Sequence, residues 1–311
     1  MTSIPNSPNP LPPPRRVAPL EIPEVQSSDR LRFPLTREKL EARVREALLE
    51  DGAFNDITTI ATVRSDRRAR ARLVARQAGV IAGIPLALET FRQLDPKCAL
   101  RVEAEDGTQV KQGDVIVFIS GHARGMLSAE RVALNFMQRL SGVATLTARY
   151  VDAIRGTATT ILDTRKTTPG WRSLEKYAVR AGGGTNHRLD LASSVLIKDN
   201  HLVAVDGNVT VAVQRAREIA PPEATIEVEC DSVEQVGHAV AAGAHVILLD
   251  NMPPEMMRAC VGLVAGRVSL EASGGITLGT VRAVAETGVT FISVGALTHS
   301  APAMNLALDF E

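Results

Sequence analysis

Two α/β units are expected from this sequence, a small β-rich domain followed by a parallel α/β barrel. Short apolar runs broken by turn residues fill the stretch from Ala69 to Ile119. One long amphipathic stretch follows. From Thr159 onward, strand-like runs alternate with helical spacing, the signature of a parallel sheet with crossover helices. At 311 residues the chain can bury such cores without disulfides or metals.

Met1 to about Arg30 is rich in proline, including Pro12-Pro13-Pro14, and holds few residues that could pack. Residues 1–30 are therefore expected to be a disordered extension, with a partner-binding tail as the alternative. Residues 31–130 form the first domain. Leu40, Val44, Leu48 and Leu49 have helical spacing that ends at Asp51-Gly52, and strands are expected at Ala71 to Ala75, Gly79 to Ala82 and Val115 to Ile119. The turn pattern of Glu105 to Asp114 is similar to that of a biotinyl or lipoyl carrier domain. It has no lysine at an exposed hairpin tip, which a carrier needs.

A helix from about Ser128 to Arg149, with Ser128 as N-cap and Val132, Phe136, Leu140 and Val143 on its apolar face, bridges to the second domain at 131–300. There, strands are expected at Thr159 to Asp163, Val195 to Lys198, Thr225 to Glu229, Val246 to Asp250, Val268 to Ala272 and Phe291 to Val294. Helices are expected at Val209 to Ile219, Ser232 to Ala242, Pro254 to Val264 and Leu278 to Thr287. Polar residues end nearly every strand and would converge on one mouth, which favours a barrel over an open sheet. Residues 301–311 form a C-terminal segment expected to pack back on the first domain.

Lys plus Arg and Asp plus Glu number 35 each, so no global field favours nucleic acid or a membrane surface, and any anion site must be a local cluster. No apolar run is long enough to span a bilayer, and the N-terminus lacks the pattern of a secretory signal. Cys98, Cys230 and Cys260 are odd in number and far apart, unlike a zinc site or a disulfide framework. A reducing, cytoplasmic setting is expected.

The chemistry-bearing residues gather at the strand ends. In Ile226-Glu227-Val228-Glu229-Cys230 the period of two puts both glutamates on one face. An apolar strand ends in Asp250, and another runs through Glu271 to the turn Ser273-Gly274-Gly275, whose backbone N–H groups could cradle phosphate. Each feature alone is as common in a cap or a plain turn. Their recurrence on successive strands of one barrel points to a site. Cations concentrate earlier, at Arg165, Lys166, Arg172, Lys176, Arg180, Arg188 and Lys198, around Gly182-Gly183-Gly184. A solvated loop is the bland alternative, but a connection of roughly 30 residues between strands is unusual unless it is functional. Its contents suit a ligand with several negative charges, and Glu229 and Asp250 would hold a divalent cation bound to phosphates.

With these residues in view, the chain resembles the type II phosphoribosyltransferases, and among them the quinolinate phosphoribosyltransferases. The likeness rests on Asp163-Thr-Arg-Lys-Thr-Thr-Pro-Gly-Trp-Arg172, Glu175 through Asp190, Leu196-Ile-Lys-Asp-Asn-His201, Leu248-Leu-Asp-Asn251 and Glu271-Ala-Ser-Gly-Gly-Ile276. Ala129-Glu-Arg131, Leu134-Asn135 and Leu140-Ser-Gly142 belong to it as well. It runs from about Leu40 to the C-terminus. The resemblance implies an N-terminal α/β sandwich domain followed by an incomplete parallel α/β barrel, paired as a homodimer in which each site borrows Arg131 from its neighbour, with higher assembly left open.

It further implies that Arg131, Arg165, His187, Arg188 and Lys198 bind quinolinate and that Lys166 reaches phosphoribosyl pyrophosphate. Glu229 and Asp250 would take ribose hydroxyls and Mg2+, and Ser273, Gly274, Gly275 and Gly295 would hold the 5′-phosphate. Lys166, Glu229 and Asp250 are the implied catalytic groups. Spacing alone leaves Glu227 as a rival to Glu229. Competing expectations are a related enzyme for another acceptor, such as nicotinate or a molybdenum-linked ligand, and a non-catalytic phosphate sensor on the same fold.

Overall fold

The computed structural model describes residues 31–311, and the extension expected at 1–30 lies outside the described residues. The first domain contributes Arg68–Ala75 (β1), Gly79–Val80 (β2), Ala99–Val102 (β3), Gln109–Val110 (β4) and Val115–His122 (β5). β1, β5 and β3 pair antiparallel, and β2 pairs with β4. Along β1, Ala71, Leu73 and Ala75 turn inward while Arg68 and Arg70 face out, the alternation of a half-buried strand. The inward residues meet Ile81, Phe91, Ile116, Ile119 and Met137, and the helix Ile84–Leu94 covers this core with Ala87 and Phe91.

The bridging helix is longer than its sequence signals suggest, running over Ala123–Ala153. Ser128 is therefore not its N-cap. Its hydroxyl instead donates to Asp56 (3.0 Å), and Asp56 itself caps the helix Ile57–Thr62. The polar group Ser128-Ala-Glu-Arg131 mimics a first helical turn, but the true start follows β5 directly, with no side-chain cap. A domain boundary at 130/131 consequently falls inside one continuous helix. Met126, Ala129, Ala133 and Met137 belong to the core under the first domain's sheet, whereas Val132, Phe136, Leu140 and Val143 belong to a larger core that joins barrel residues with Val44, Leu48, Val80 and Leu86 of the first domain. At Gly142 the Pro302 carbonyl passes where a Cβ would sit, so only glycine allows that approach.

The second domain holds Thr160–Leu162 (β6), Val195–Ile197 (β7), Ile226–Cys230 (β8), Val246–Asp250 (β9), Ser269–Ser273 (β10) and Phe291–Ser293 (β11). Among the described residues they form one parallel sheet in the order β6-β11-β10-β9-β8-β7. β6 and β7 do not pair, so the barrel is incomplete, and a single bridge from Leu162 to Thr185 lies on the open side of β6. Helices Val209–Ile219, Val233–Ala242 and Pro254–Val264 occupy their expected places, and Ser232 caps the second through Gln235 N. The helix expected at Leu278 to Thr287 shortens to Val281–Ala285.

The long basic connection is not a bare loop. Its middle forms the helix Arg172–Ala181, which buries Leu174, Tyr177 and Val179 together with Glu175 and Lys176. Within the segment 301–311, Leu306–Phe310 (β12) returns to the first domain and pairs antiparallel with β1, from Ala75 opposite Leu306 to Ala71 opposite Phe310.

Candidate active site

The parallel strands all point their C-terminal ends at one mouth. Thr164, Arg165 and Lys166 leave β6, Lys198 leaves β7, Glu229 and Asp250 close β8 and β9, Ser273 ends β10 and Gly295 follows β11. A hollow of about 290 Å³ is lined by Arg165, Lys166, His187, Arg188, Lys198 and Ser273, with Glu271 and Ser293 also in its wall. A second hollow of about 510 Å³ is lined by Glu229 and Asp250 together with Asp199, Asp206 and Asp231. The two meet at Lys198, whose Nζ lies 3.2 Å from Glu229 Oε2.

The cation cluster read from the sequence divides in two. Arg165, Lys166, Arg188 and Lys198 line the first hollow, and the rest hold the loop in place. Arg172 bonds Thr167 and the Leu189 carbonyl, and Arg180 bonds the Arg32 carbonyl. Lys176 is buried and pairs with Asp163. Burial pushes the Asp163 carboxyl up against the pull of Lys176, and pushes the Lys176 ammonium down.

Asp163 closes β6 and grips both halves of the basic segment. It accepts from Lys176 Nζ, from Asn186 Nδ2 (2.6 Å) and from the His187 amide (2.8 Å), while Lys176 also donates to the His187 carbonyl (3.0 Å). Glu175, fully buried, does the same for the Thr168 end. It accepts from Thr168 N and Oγ1 and from Arg139. The Lys166 carbonyl accepts from Thr298 Oγ1 at 2.8 Å.

Burial, with the like charge of Arg165 next, holds the Arg188 guanidinium below its usual range. An anionic ligand would relieve that strain. The Nε of Arg165 is buried and bonds no protein acceptor among the described residues. Gly274 and Gly275 take positive φ (95° and 60°), turning the chain after Ser273 in a way that disfavours other residues. A side chain at Gly295 would meet Lys166 Cδ and the His299 ring, so the absent Cβ leaves room for both.

His187 and Glu227 lie against one another below the hollow. The His187 ring lies in the wall of the hollow, but its Nε2 is 3.2 Å from Glu227 Oε2 and 3.4 Å from Glu271 Oε2, and its Nδ1 accepts from the Arg188 amide (2.7 Å). Burial works against the imidazolium, but the bonds and charges of the two glutamates push its pKa up to about 10. The Arg188 amide, aimed at Nδ1, opposes a proton there. Glu227, which rivalled Glu229 on spacing, lies beneath the mouth, and burial followed by the charge of Glu271 raises its carboxyl above the usual range. Glu229 is the one that faces the acidic hollow.

Sequence reasoning singled out Glu271 among the strand-end acids without giving it a role, and gave none to Asp163 or Glu175. An acid in the middle of an apolar run, as Glu271 is, was the available signal. Arg131 is exposed on the long helix and lines neither hollow of its own chain.

Cations and carboxylates converging from successive strands, with a glycine turn between them, define an α/β-barrel protein built for a polyanionic ligand. Residues 56–141 match the N-terminal domain, and residues 143–309 the C-terminal domain, of quinolinate phosphoribosyl transferase. The chain is 42% identical to a probable carboxylating nicotinate-nucleotide pyrophosphorylase of Bacillus subtilis over 87% of its length and 93% of the relative. It is 45% identical to the carboxylating nicotinate-nucleotide pyrophosphorylase of Mycobacterium leprae over 86% of its length and 95% of the relative. The solved nicotinate-nucleotide pyrophosphorylase of Francisella tularensis superposes with a TM-score of 0.84 at 38% identity, covering 90% of this chain and 99% of that one. The chain belongs to the quinolinate phosphoribosyltransferase family.

Proposed function

We propose that this chain transfers the phosphoribosyl group of phosphoribosyl pyrophosphate to quinolinate and decarboxylates the adduct, giving nicotinate mononucleotide, pyrophosphate and CO2 for NAD biosynthesis. The carrying observation is the gathering of Arg165, Lys166, Arg188 and Lys198 in one hollow that adjoins the carboxylates Glu229 and Asp250. That division suits a dicarboxylate on one side and a sugar with a phosphorylated leaving group on the other.

Arg165, Arg188 and Lys198 orient the two carboxylates of quinolinate so that its ring nitrogen faces the ribose. Charge-assisted bonds of about 1.5–3 kcal/mol each are sufficient to hold a small dianion despite its desolvation. Lys166, anchored through its carbonyl and running over Gly295, places its ammonium on the pyrophosphate and stabilises the negative charge that builds on the leaving oxygen. Glu229 and Asp250 take the ribose hydroxyls and favour the positive charge on the sugar ring as the bond breaks. Backbone N–H groups around Ser273, Gly274, Gly275 and Gly295 hold the 5′-phosphate.

Once the nitrogen carries the ribose, the C2–carboxylate bond breaks with its electron pair drawn toward that nitrogen, and a proton takes the vacated position. No organic cofactor is required. The all-oxygen donor set of the acidic hollow fits a hard divalent cation, and Glu229 and Asp250 would hold magnesium there, supplying charge neutralisation for the leaving pyrophosphate.

Arg131, away from its own chain's hollow, fits donation across a homodimer. No helix among the described residues is long and apolar enough to cross a membrane. Cys230 and Cys260 are buried free thiols, which supports a reducing compartment such as the cytoplasm. Incubating the purified protein with quinolinate, phosphoribosyl pyrophosphate and magnesium should yield nicotinate mononucleotide and CO2. Turnover of nicotinate without CO2 would replace this reading with a related transferase.

A further inference from the structure

Arg139 lines neither hollow, yet the groups it holds lead to a residue that does. It stands partly buried on the helix Ala123–Ala153 and binds two carbonyls and a carboxylate. Nε (3.1 Å) and Nη2 (2.6 Å) donate to Glu175 Oε1, Nη1 donates to the Ala301 carbonyl (3.1 Å), and Nη2 donates to the Thr298 carbonyl. We propose that Arg139 is a positioning residue for Lys166: it braces the segment 164–168 through two separate arms and so sets where the Lys166 ammonium meets the leaving pyrophosphate. The inference rests on the reading of Lys166 as the group on that pyrophosphate.

One arm runs through Glu175, which is fully buried on the helix Arg172–Ala181. Its Oε2 accepts from Thr168 N (3.0 Å) and its Oε1 from Thr168 Oγ1 (2.8 Å), two residues past Lys166. The other arm runs through Thr298, also fully buried, whose hydroxyl lies 2.8 Å from the Lys166 carbonyl and 3.3 Å from the Gly295 carbonyl. Arg172 steadies Thr167, between the two anchored residues, from the same helix as Glu175 (3.1 Å). The Lys166 amide donates to Thr164 Oγ1 inside the segment itself (3.1 Å). Ties from the segment to the long helix therefore pass through the Arg139 guanidinium.

The arrangement is more than a strut. A strut between the long helix and the turn after β11 would need only the carbonyls of Thr298 and Ala301. Here the carboxylate that faces the same guanidinium gives both its oxygens to Thr168. The planar fork of an arginine can serve acceptors in several fixed directions at once, which the point charge of a lysine cannot. Gly295 follows β11 and passes close to the Lys166 side chain. The residues read as holding the two phosphorylated ends of one substrate, Gly295 at the 5′-phosphate and Lys166 at the pyrophosphate, are thus referred to one fixed group. Misplacement of a reacting group by about 1 Å can cost about 10²-fold in rate, so such a reference is felt at the transition state.

Arg139→Lys keeps a positive charge opposite Glu175 but cannot reach every acceptor, and Thr298→Val removes the hydroxyl with little change of shape. Steady-state kinetics and calorimetric titration with magnesium pyrophosphate, both on the full chain, read the outcome. Arg139→Lys should lower kcat about tenfold and weaken magnesium pyrophosphate about fivefold, with the KM for quinolinate within about twofold of the parent. Thr298→Val should move the same two quantities in the same direction by about threefold. In a Lys166→Ala background, Arg139→Lys should cost no more than about a further twofold in kcat, because the group it places is gone.

Losses that multiply in the double variant, or KM values for both substrates that rise together, would make Arg139 a support of the fold alone and overturn the proposal. Parent-like kcat and pyrophosphate affinity in both single variants would overturn it too. If Arg139→Lys does not fold, Thr298→Val decides between the same outcomes. A parent that binds magnesium pyrophosphate but does not turn over quinolinate defeats the functional reading instead, and the pyrophosphate titrations still test the brace.

Discussion

Asp95 in the first domain and Glu227 in the barrel are both buried carboxylates, 5% and 4% exposed, yet their surroundings treat them in opposite ways. Asp95 accepts from the amides of His122 (2.7 Å) and Lys97 (3.2 Å) and lies 3.2 Å from the His122 ring. Burial alone would raise its pKa, but these bonds outweigh burial and hold it below the usual carboxylate range. Glu227 has one bonded partner, His187, and its Oε1 has none among the described residues. Burial and the charge of Glu271 hold its pKa up. In the first domain, acids complete the backbone's hydrogen bonds. Beneath the barrel mouth, Glu227 is kept short of partners, as charge beside a site that must receive a ligand can be.

If that contrast is right, removing a charge at the mouth costs turnover, and removing one in the first domain costs stability. The largest effect is expected from Lys166→Ala, with kcat at saturating substrates falling about 10²–10³-fold while the melting temperature holds. A matching fall in melting temperature would erase the contrast. Arg165→Ala should raise the KM for quinolinate about tenfold or more and leave that for phosphoribosyl pyrophosphate within about threefold. Mixing Arg131→Ala subunits with Lys166→Ala subunits should restore about one intact site per heterodimer, and no recovery of turnover argues against a shared site.

Smaller and opposite in kind, Asp95→Asn should lose about 1–3 kcal/mol of unfolding free energy at pH 7, measured by urea denaturation. Because the folded pKa of Asp95 is depressed, its stabilisation is present above the unfolded value of about 3.9 and disappears as pH falls through the folded value. Parent and variant should therefore converge in acid. For Glu227 the sign reverses. Its folded pKa is raised, so its charged form opposes folding at neutral pH, and Glu227→Gln should not lower the melting temperature at pH 7.

Strand ends and outer helices were legible because periodicity is local. Val246–Asp250 and Pro254–Val264 have the bounds their apolar spacing indicates. Lys198, Glu229 and Asp250 were legible as polar residues closing apolar strands, and Lys166 and Arg188 as cations of a long connection between two strands. What spacing could not show was which charges would face inward to one another. Lys176 reads as one more cation in a basic run, and only the packing of its helix against β6 reveals a buried partner for Asp163. Ser128 misled for a related reason, since a cap and a mid-helix serine differ by a tertiary contact with Asp56. Glu227 and Glu229 share a strand face, so only depth in the barrel separates the buried partner of His187 from the carboxylate that faces the acidic hollow.

The return of β12 to the edge of β1 constrains how the molecule is made as well as how it stands. The first domain is translated first, yet its sheet lacks an edge strand until residues 306–310 have emerged from the ribosome. The half of the long helix that packs on the barrel waits in the same way for strands encoded after it. Vectorial synthesis therefore leaves an open β edge in the nascent chain for most of elongation, a template on which another chain's strand could pair.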